Sequence, residues 1–74
     1  MKATFYTDNK SFTTLKEAKD YAIKHEAPEV GMSIGGLYKN IFQYSPMSER
    51  LERVSRVNDV RKSMNKFLKS YQEN

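Results

Sequence analysis

The chain contains no cysteine and no tryptophan, and only one histidine, two prolines and three glycines among 74 residues. Without cysteine, neither a disulfide framework nor a thiolate metal site can staple the fold. One histidine and no thiol leave the usual nucleophile–base pairs and histidine-rich metal centres without their parts. No apolar run approaches the ~18 residues that span a bilayer. The opening stretch MKATFYTDNK lacks the apolar segment of a secretory signal. These absences lead us to expect a soluble, intracellular (cytoplasmic) protein that starts at its own Met1. We expect no enzyme activity, no cofactor, no metal and no membrane partner. A chain of this length buries about 60% of its unfolded surface, so a stability of only about a few kcal/mol is expected.

What is present is basic charge, unevenly placed. The net charge is +4. Residues 1–45 hold six lysines against five acids, and residues 46–74 hold seven basic groups against four acids, so most of the excess lies in the C-terminal part. All four arginines (Arg50, Arg53, Arg56 and Arg61) fall within SERLERVSRVNDVRK, residues 48–62. A field of that sign favours anionic partners.

Local patterns predict an α+β domain spanning residues 1–74: a small antiparallel sheet of two hairpins with two helices, in the order ββ-α-ββ-α. ATFYT and KSFTT have strand composition and flank the turn pair Asp8-Asn9. Thr14 with Glu17 three residues later makes a capping box for a helix over LKEAKDYAIKHE, which Pro28 stops. Leu15, Ala18 and Ala22 share a face of that helix, with Tyr21 beside them. Gly35-Gly36 permits a tight turn between MSI and LYKNIFQY. In the second arm strict alternation places Tyr38, Phe42 and Tyr44 on one side and Leu37 and Ile41 on the other. A strand apolar on both sides belongs near the centre of a sheet, or leaves one side for binding.

The C-terminal third admits two layouts. Ser45-Pro46 has the chemistry of a helix start, and one helix over 46–72 is the first. Projected at about 100° per residue, Val60, Met64, Phe67, Leu68 and Tyr71 form one stripe, but Met47, Leu51 and Val54 lie about 100° away from it. A break near 55–59, with Asn58 or Asp59 capping a fresh helix over 59–72, is the second. LERVSRV would then be a strand beside KNIFQYS. The spacing of three between Leu51, Val54 and Val57 suits a helix, so the helical layout is preferred for 46–57.

Few residues suggest chemistry. His25 sits where it complements the C-terminal end of the first helix. The carboxylate pairs Glu17/Asp20 and Glu26/Glu29 read as solvated charge. G-M-S-I-G-G lacks the G-K-[ST] of a phosphate loop and no helix follows it. Phe5, Phe12 and Phe42 are expected in the core, whereas Tyr6, Tyr38 and Tyr44 tolerate a wet edge and are candidates for stacking on unpaired bases.

In the helical layout Arg50, Arg53 and Arg56 form a stripe turned away from Met47 and Leu51, joined by Arg61, Lys62, Lys66 and Lys69. Arginine grips carboxylates and phosphates bidentately. Against that stand the i, i+4 pairs Glu49–Arg53 and Glu52–Arg56, which would neutralise part of the patch. Arg50 and Arg61 have no acid four residues before them and are the strongest single candidates for binding. The function expected is a small regulator or inhibitor of phage or mobile-element type, an association by size and composition. It would dock this basic face on an acidic protein surface or a protein–nucleic acid assembly. Direct nucleic-acid binding is the alternative. A homodimer joined through Val54, Val57, Met64 and Leu68 is a third.

Overall fold

Two tight turns organise the strands. Asp8 and Asn9 both take left-handed backbone (φ 51° and 62°), the geometry of a two-residue primed turn that matches strand twist. They join β1 (Thr4–Thr7) to β2 (Lys10–Phe12). Gly35 and Gly36 (φ 56° and 88°) do the same between β3 (Glu29–Ile34) and β4 (Leu37–Ser45). The computed structural model describes residues 2–72.

Helix α1 (Leu15–Lys24) begins at the expected capping box: the Glu17 N–H donates to Thr14 Oγ1 (3.3 Å), and the Thr14 hydroxyl donates to Glu17 Oε1 (2.9 Å). His25 caps its C-terminal end with its ring 4.1 Å from that of Tyr21. The chain then turns through Glu26 at φ 55°, and the Ala27 N–H donates to Ala22 O (2.9 Å). This is a left-handed helix terminus with glutamate where glycine is usual.

The strands form one antiparallel sheet in the order β2-β1-β3-β4-β5. Both helices lie on the same side of it, α1 on β1, β2 and β3, and α2 (Val57–Gln72) on β3 and β4. The buried core between them holds Phe5, Val30, Met32, Ile34, Ile41 and Phe42 from the sheet. Ala18 and Ala22 come from α1, and Val60 and Met64 from α2. The small alanines let α1 approach the sheet closely. Phe12, Leu15, Leu51, Val57 and Leu68 pack around this centre. Among the described residues no helix is long and apolar enough to cross a membrane.

Two expectations need correction. Residues 46–57 are not the first turns of a long helix. Ser45 ends β4, Pro46 to Glu49 form a four-residue hairpin loop, and Arg50–Arg53 is a fifth strand, β5. Glu49 closes the loop with left-handed backbone (φ 57°) and an N–H donated to Ser45 O (2.7 Å). Pairing with β4 covers what would otherwise be an open sheet edge. The second layout was therefore the right one in outline, with the helix starting at Val57, two residues before 59.

The alternation read along β4 also fails. Gly31 pairs with Asn40 but Val30 pairs with Phe42, so β4 carries one extra residue at Ile41, a β-bulge. Ile41 and Phe42 are both buried (0% and 3% exposed) on the helix side. Beyond the bulge the parity is reversed: Tyr44, opposite Leu51, belongs with Leu37, Ile41 and Phe42, and Tyr38, opposite Ser33, is on the open side.

Helix α2 packs by Val57, Val60, Met64 and Leu68. Phe67 and Tyr71 lie on the same stripe but are 58% and 74% exposed, so the stripe outruns the surface beneath it. Met32→Ala is expected to cost about 2–5 kcal/mol, most of the stability of so small a domain, whereas Phe67→Ala should change it by no more than about 0.5 kcal/mol. Urea denaturation of the two variants tests this contrast. Glu26→Gly should raise stability by about 0.5–1 kcal/mol by relieving the left-handed glutamate; an unchanged urea midpoint would contradict that account.

Candidate functional site

The arginines do not form a helical stripe. Arg50 and Arg53 are on strand β5, three residues apart, so their side chains leave opposite sides of the sheet. Arg50 is opposite Ser45, and Arg53 is opposite Phe42 on the helix side. Arg56 immediately precedes α2, its carbonyl accepting from the Val60 N–H (2.9 Å). Arg61 is half-buried on α2. The i, i+4 geometry for Glu49–Arg53 and Glu52–Arg56 disappears with the helix. Among the described residues the only ion pair is Lys16–Asp20, at 3.0 Å on α1. The arginines are therefore dispersed relative to expectation, yet among the described residues none of them is in an ion pair with a carboxylate.

Tertiary structure regroups two of them. The β5–α2 connection folds back over the sheet and forms an open cleft of about 580 Å³, whose lining includes Lys39, Arg53, Arg56, Asp59, Val60 and Met64. Three cations meet one acid there, above an apolar floor. Lys39 had no mark in the sequence. It enters the cleft because it pairs with Met32 and so shares the helix side of the sheet. The Arg53 guanidinium lies 5.1 Å from the centroid of the Phe42 ring, and Lys19 Nζ approaches the same ring at 4.8 Å. Contact with the ring holds the Arg53 fork on an aromatic surface rather than leaving it free in solvent. Chemically, the cleft is suited to a carboxylate or phosphate group.

Lys62, Lys66 and Lys69 are exposed and recur at helical spacing on the side of α2 opposite Val60 and Met64. They make a second basic zone, directed away from the sheet rather than into the cleft. Of the residues proposed for a dimer contact, Met64 is buried in the core, Val57 and Leu68 pack against it, and Val54 is half-exposed.

The tyrosines divide as well. Tyr44 lines a different groove of about 740 Å³ between α1 and the β4–β5 hairpin, where Ile23, Pro28 and Leu51 are joined by the charged Lys19, Glu26, Glu49 and Arg50. Tyr6 and Tyr38 are neighbours on the open side of the sheet, their ring centroids 6.1 Å apart. The Tyr38 ring covers Gly31, where a Cβ would collide with its Oη and Cζ. Asp8 and Glu29 line the same shallow cleft, and Asn40 Nδ2 donates to Glu29 Oε2 (2.9 Å). The rings suited to stacking are thus placed with acids, on the opposite side of the sheet from Lys39 and Arg53.

Burial, and secondarily the Glu29 carboxylate, raise the Tyr38 phenol above its ordinary value of 10.0. The unfolded chain then loses this proton first as pH rises, so stability should fall from about pH 10 upward until the folded phenol also ionises. Tyr38→Phe should remove that part of the alkaline loss, measured as urea midpoints at neutral and alkaline pH. An identical alkaline decline in the variant would contradict the assignment.

Compared with protein-family models, curated proteins and solved structures, the chain matches none.

Proposed function

We propose that this chain is a non-catalytic binding protein that docks its basic corner on an acidic protein surface. It would act as a regulator or inhibitor by occupying a place otherwise taken by nucleic acid or another anionic partner. The observation that carries this reading is the convergence of Lys39, Arg53 and Arg56 in one cleft, with Asp59 the one acid among the described residues that line it. The fork of Arg53 resting on Phe42 supplies a pre-positioned group for a carboxylate. Lys62, Lys66 and Lys69 extend the positive field along α2 and would speed encounter more than they fix geometry. Direct nucleic-acid binding is supported less, because Tyr6 and Tyr38 sit beside Asp8 and Glu29, and those carboxylates repel a phosphate backbone.

Fluorescence anisotropy with a labelled oligoglutamate peptide and with labelled single- and double-stranded DNA, at two salt concentrations, tests the proposal. Two triple variants are compared with the native protein: Lys39, Arg53 and Arg56 to Ala, and Lys62, Lys66 and Lys69 to Ala. We expect the acidic peptide to bind, and the first variant to lose at least about tenfold in affinity, equivalent to about 1.4 kcal/mol. The second should lose less. DNA binding that exceeds peptide binding and falls steeply with salt would overturn the protein-surface reading.

A further inference from the structure

The side of the sheet that carries no helix has its own composition. Small polar residues dominate it: Thr4 pairs with Ser33 and Ser33 with Tyr38, and Ser11 pairs with Tyr6. A solvated sheet side is ordinarily polar in this way. Two large rings nevertheless stand together in its middle, Tyr6 half-buried and Tyr38 55% exposed. Central strand β3 holds a glycine beneath them, at a position where glycine weakens a strand. Gly31 stands where a Cβ would collide with the Tyr38 ring. The result is a low aromatic plate, tilted at 52° between its two rings, against the sheet surface.

Charge distinguishes this plate from two other rings, those of Phe42 and Tyr21. Phe42 is approached by Lys19 and Arg53, and Tyr21 by Lys10 at 5.8 Å. Among the described residues no cation of the chain sits over Tyr6 or Tyr38. The cleft of about 520 Å³ around them contains the two carboxylates of Asp8 and Glu29 and, among the described residues, no basic one. Glu29 is exposed, and its carboxylate is oriented by the Asn40 amide. Two electron-rich ring faces beside two carboxylates attract a cation and repel an anion. Glu52, opposite Gln43, adds a further acid on the same side, and Arg50, at the hairpin end of β5, is the one strand arginine there.

We infer that the open sheet side is a second docking surface, for a basic peptide segment whose lysine or arginine lies on the Tyr6–Tyr38 plate with its charge toward Glu29 and Asp8. The occupant is a cationic segment of a partner protein, because charge complementarity selects it. This surface is separate from the basic corner and opposite to it in sign. A protein with both is equipped to touch an acidic and a basic surface at once.

The test is a titration of the full chain with acetyl-Gly-Arg-Gly-Arg-Gly-amide and its lysine counterpart, followed by amide chemical shifts. The same peptide with glutamate in place of arginine is the control. Shifts should concentrate at Tyr6, Gly31, Ser33 and Tyr38. Affinity should fall at least about fivefold in Glu29→Gln and in Tyr38→Ala. Gly31→Ala, which displaces the ring without removing it, should act in the same direction. Glu29→Gln and Tyr38→Ala alter exposed side chains and keep the test valid even where Gly31→Ala weakens the fold. Arg53→Ala with Arg56→Ala should leave this binding unchanged, which separates its failure from that of the basic corner. The inference is overturned by shifts that map elsewhere, by equal binding of the glutamate peptide, or by no binding at millimolar peptide. Concentration-dependent shifts at the same residues without peptide would also overturn it, since they would assign the surface to a second copy.

Discussion

Between Gly31 and Val30 strand β3 advances by one residue, while β4 advances by two, from Asn40 to Phe42. The extra residue turns Ile41 and Phe42 together into the core, where both are almost wholly buried. The side faced by every β4 and β5 residue beyond Ile41 depends on that single irregularity. Before it, β4 presents Lys39 to the helix side and Tyr38 to the open side; after it, Tyr44 and the opposing Leu51 turn to the helix side. The carbonyl of Ile41 also accepts from the Val54 N–H (2.9 Å), which holds the end of β5 and aims the chain into α2. Without the bulge, either Ile41 or Phe42 would face solvent, and a core this small has few side chains to replace it.

The sheet therefore separates two chemistries. On the helix side, cations gather around Phe42 and in the cleft at the start of α2. On the other side, two tyrosines share their surroundings with carboxylates. A five-stranded sheet with helices on one side only leaves the second side to water or to a partner. The two proposed surfaces follow from that layering, and each is made of residues distant in sequence. Lys39 meets Arg56 across the β4–β5 hairpin, and Tyr6 meets Tyr38 across the whole of β3.

Little in the core competes with this arrangement. Ala18 and Ala22 allow α1 to lie close to β1 and β3, while α2 is anchored by a short segment from Val57 to Leu68. Phe67 and Tyr71 are largely exposed and lie outside the core cluster, so the anchoring of that helix rests on about three turns.

Signals confined to a few neighbouring residues were legible in the sequence alone. The Asp8-Asn9 and Gly35-Gly36 turns, the Thr14–Glu17 capping box, the end of α1 before Pro28 and the apolar stripe of α2 all depend on energies set within one turn of chain. The class of the fold was legible too, as were Phe5, Phe42, Ala18, Ala22, Val60 and Met64 of the core, whereas the buried residues of β3 (Val30, Met32 and Ile34) carried no such signal. What sequence could not decide was settled by contacts across the sheet. The spacing of Leu51, Val54 and Val57 imitates a helix because Leu51 faces the core from a strand and Val57 from a helix, while Val54 between them is half-exposed. A helix over so short a segment is marginal by itself, and pairing with Phe42–Ser45 decides for the strand. The bulge leaves no mark in LYKNIFQYS, since period-two alternation assumes equal steps on both strands. Position along the chain determined which residues would turn, cap and pack; only the ladder between β3, β4 and β5 decided which side of the protein each charge and ring would face.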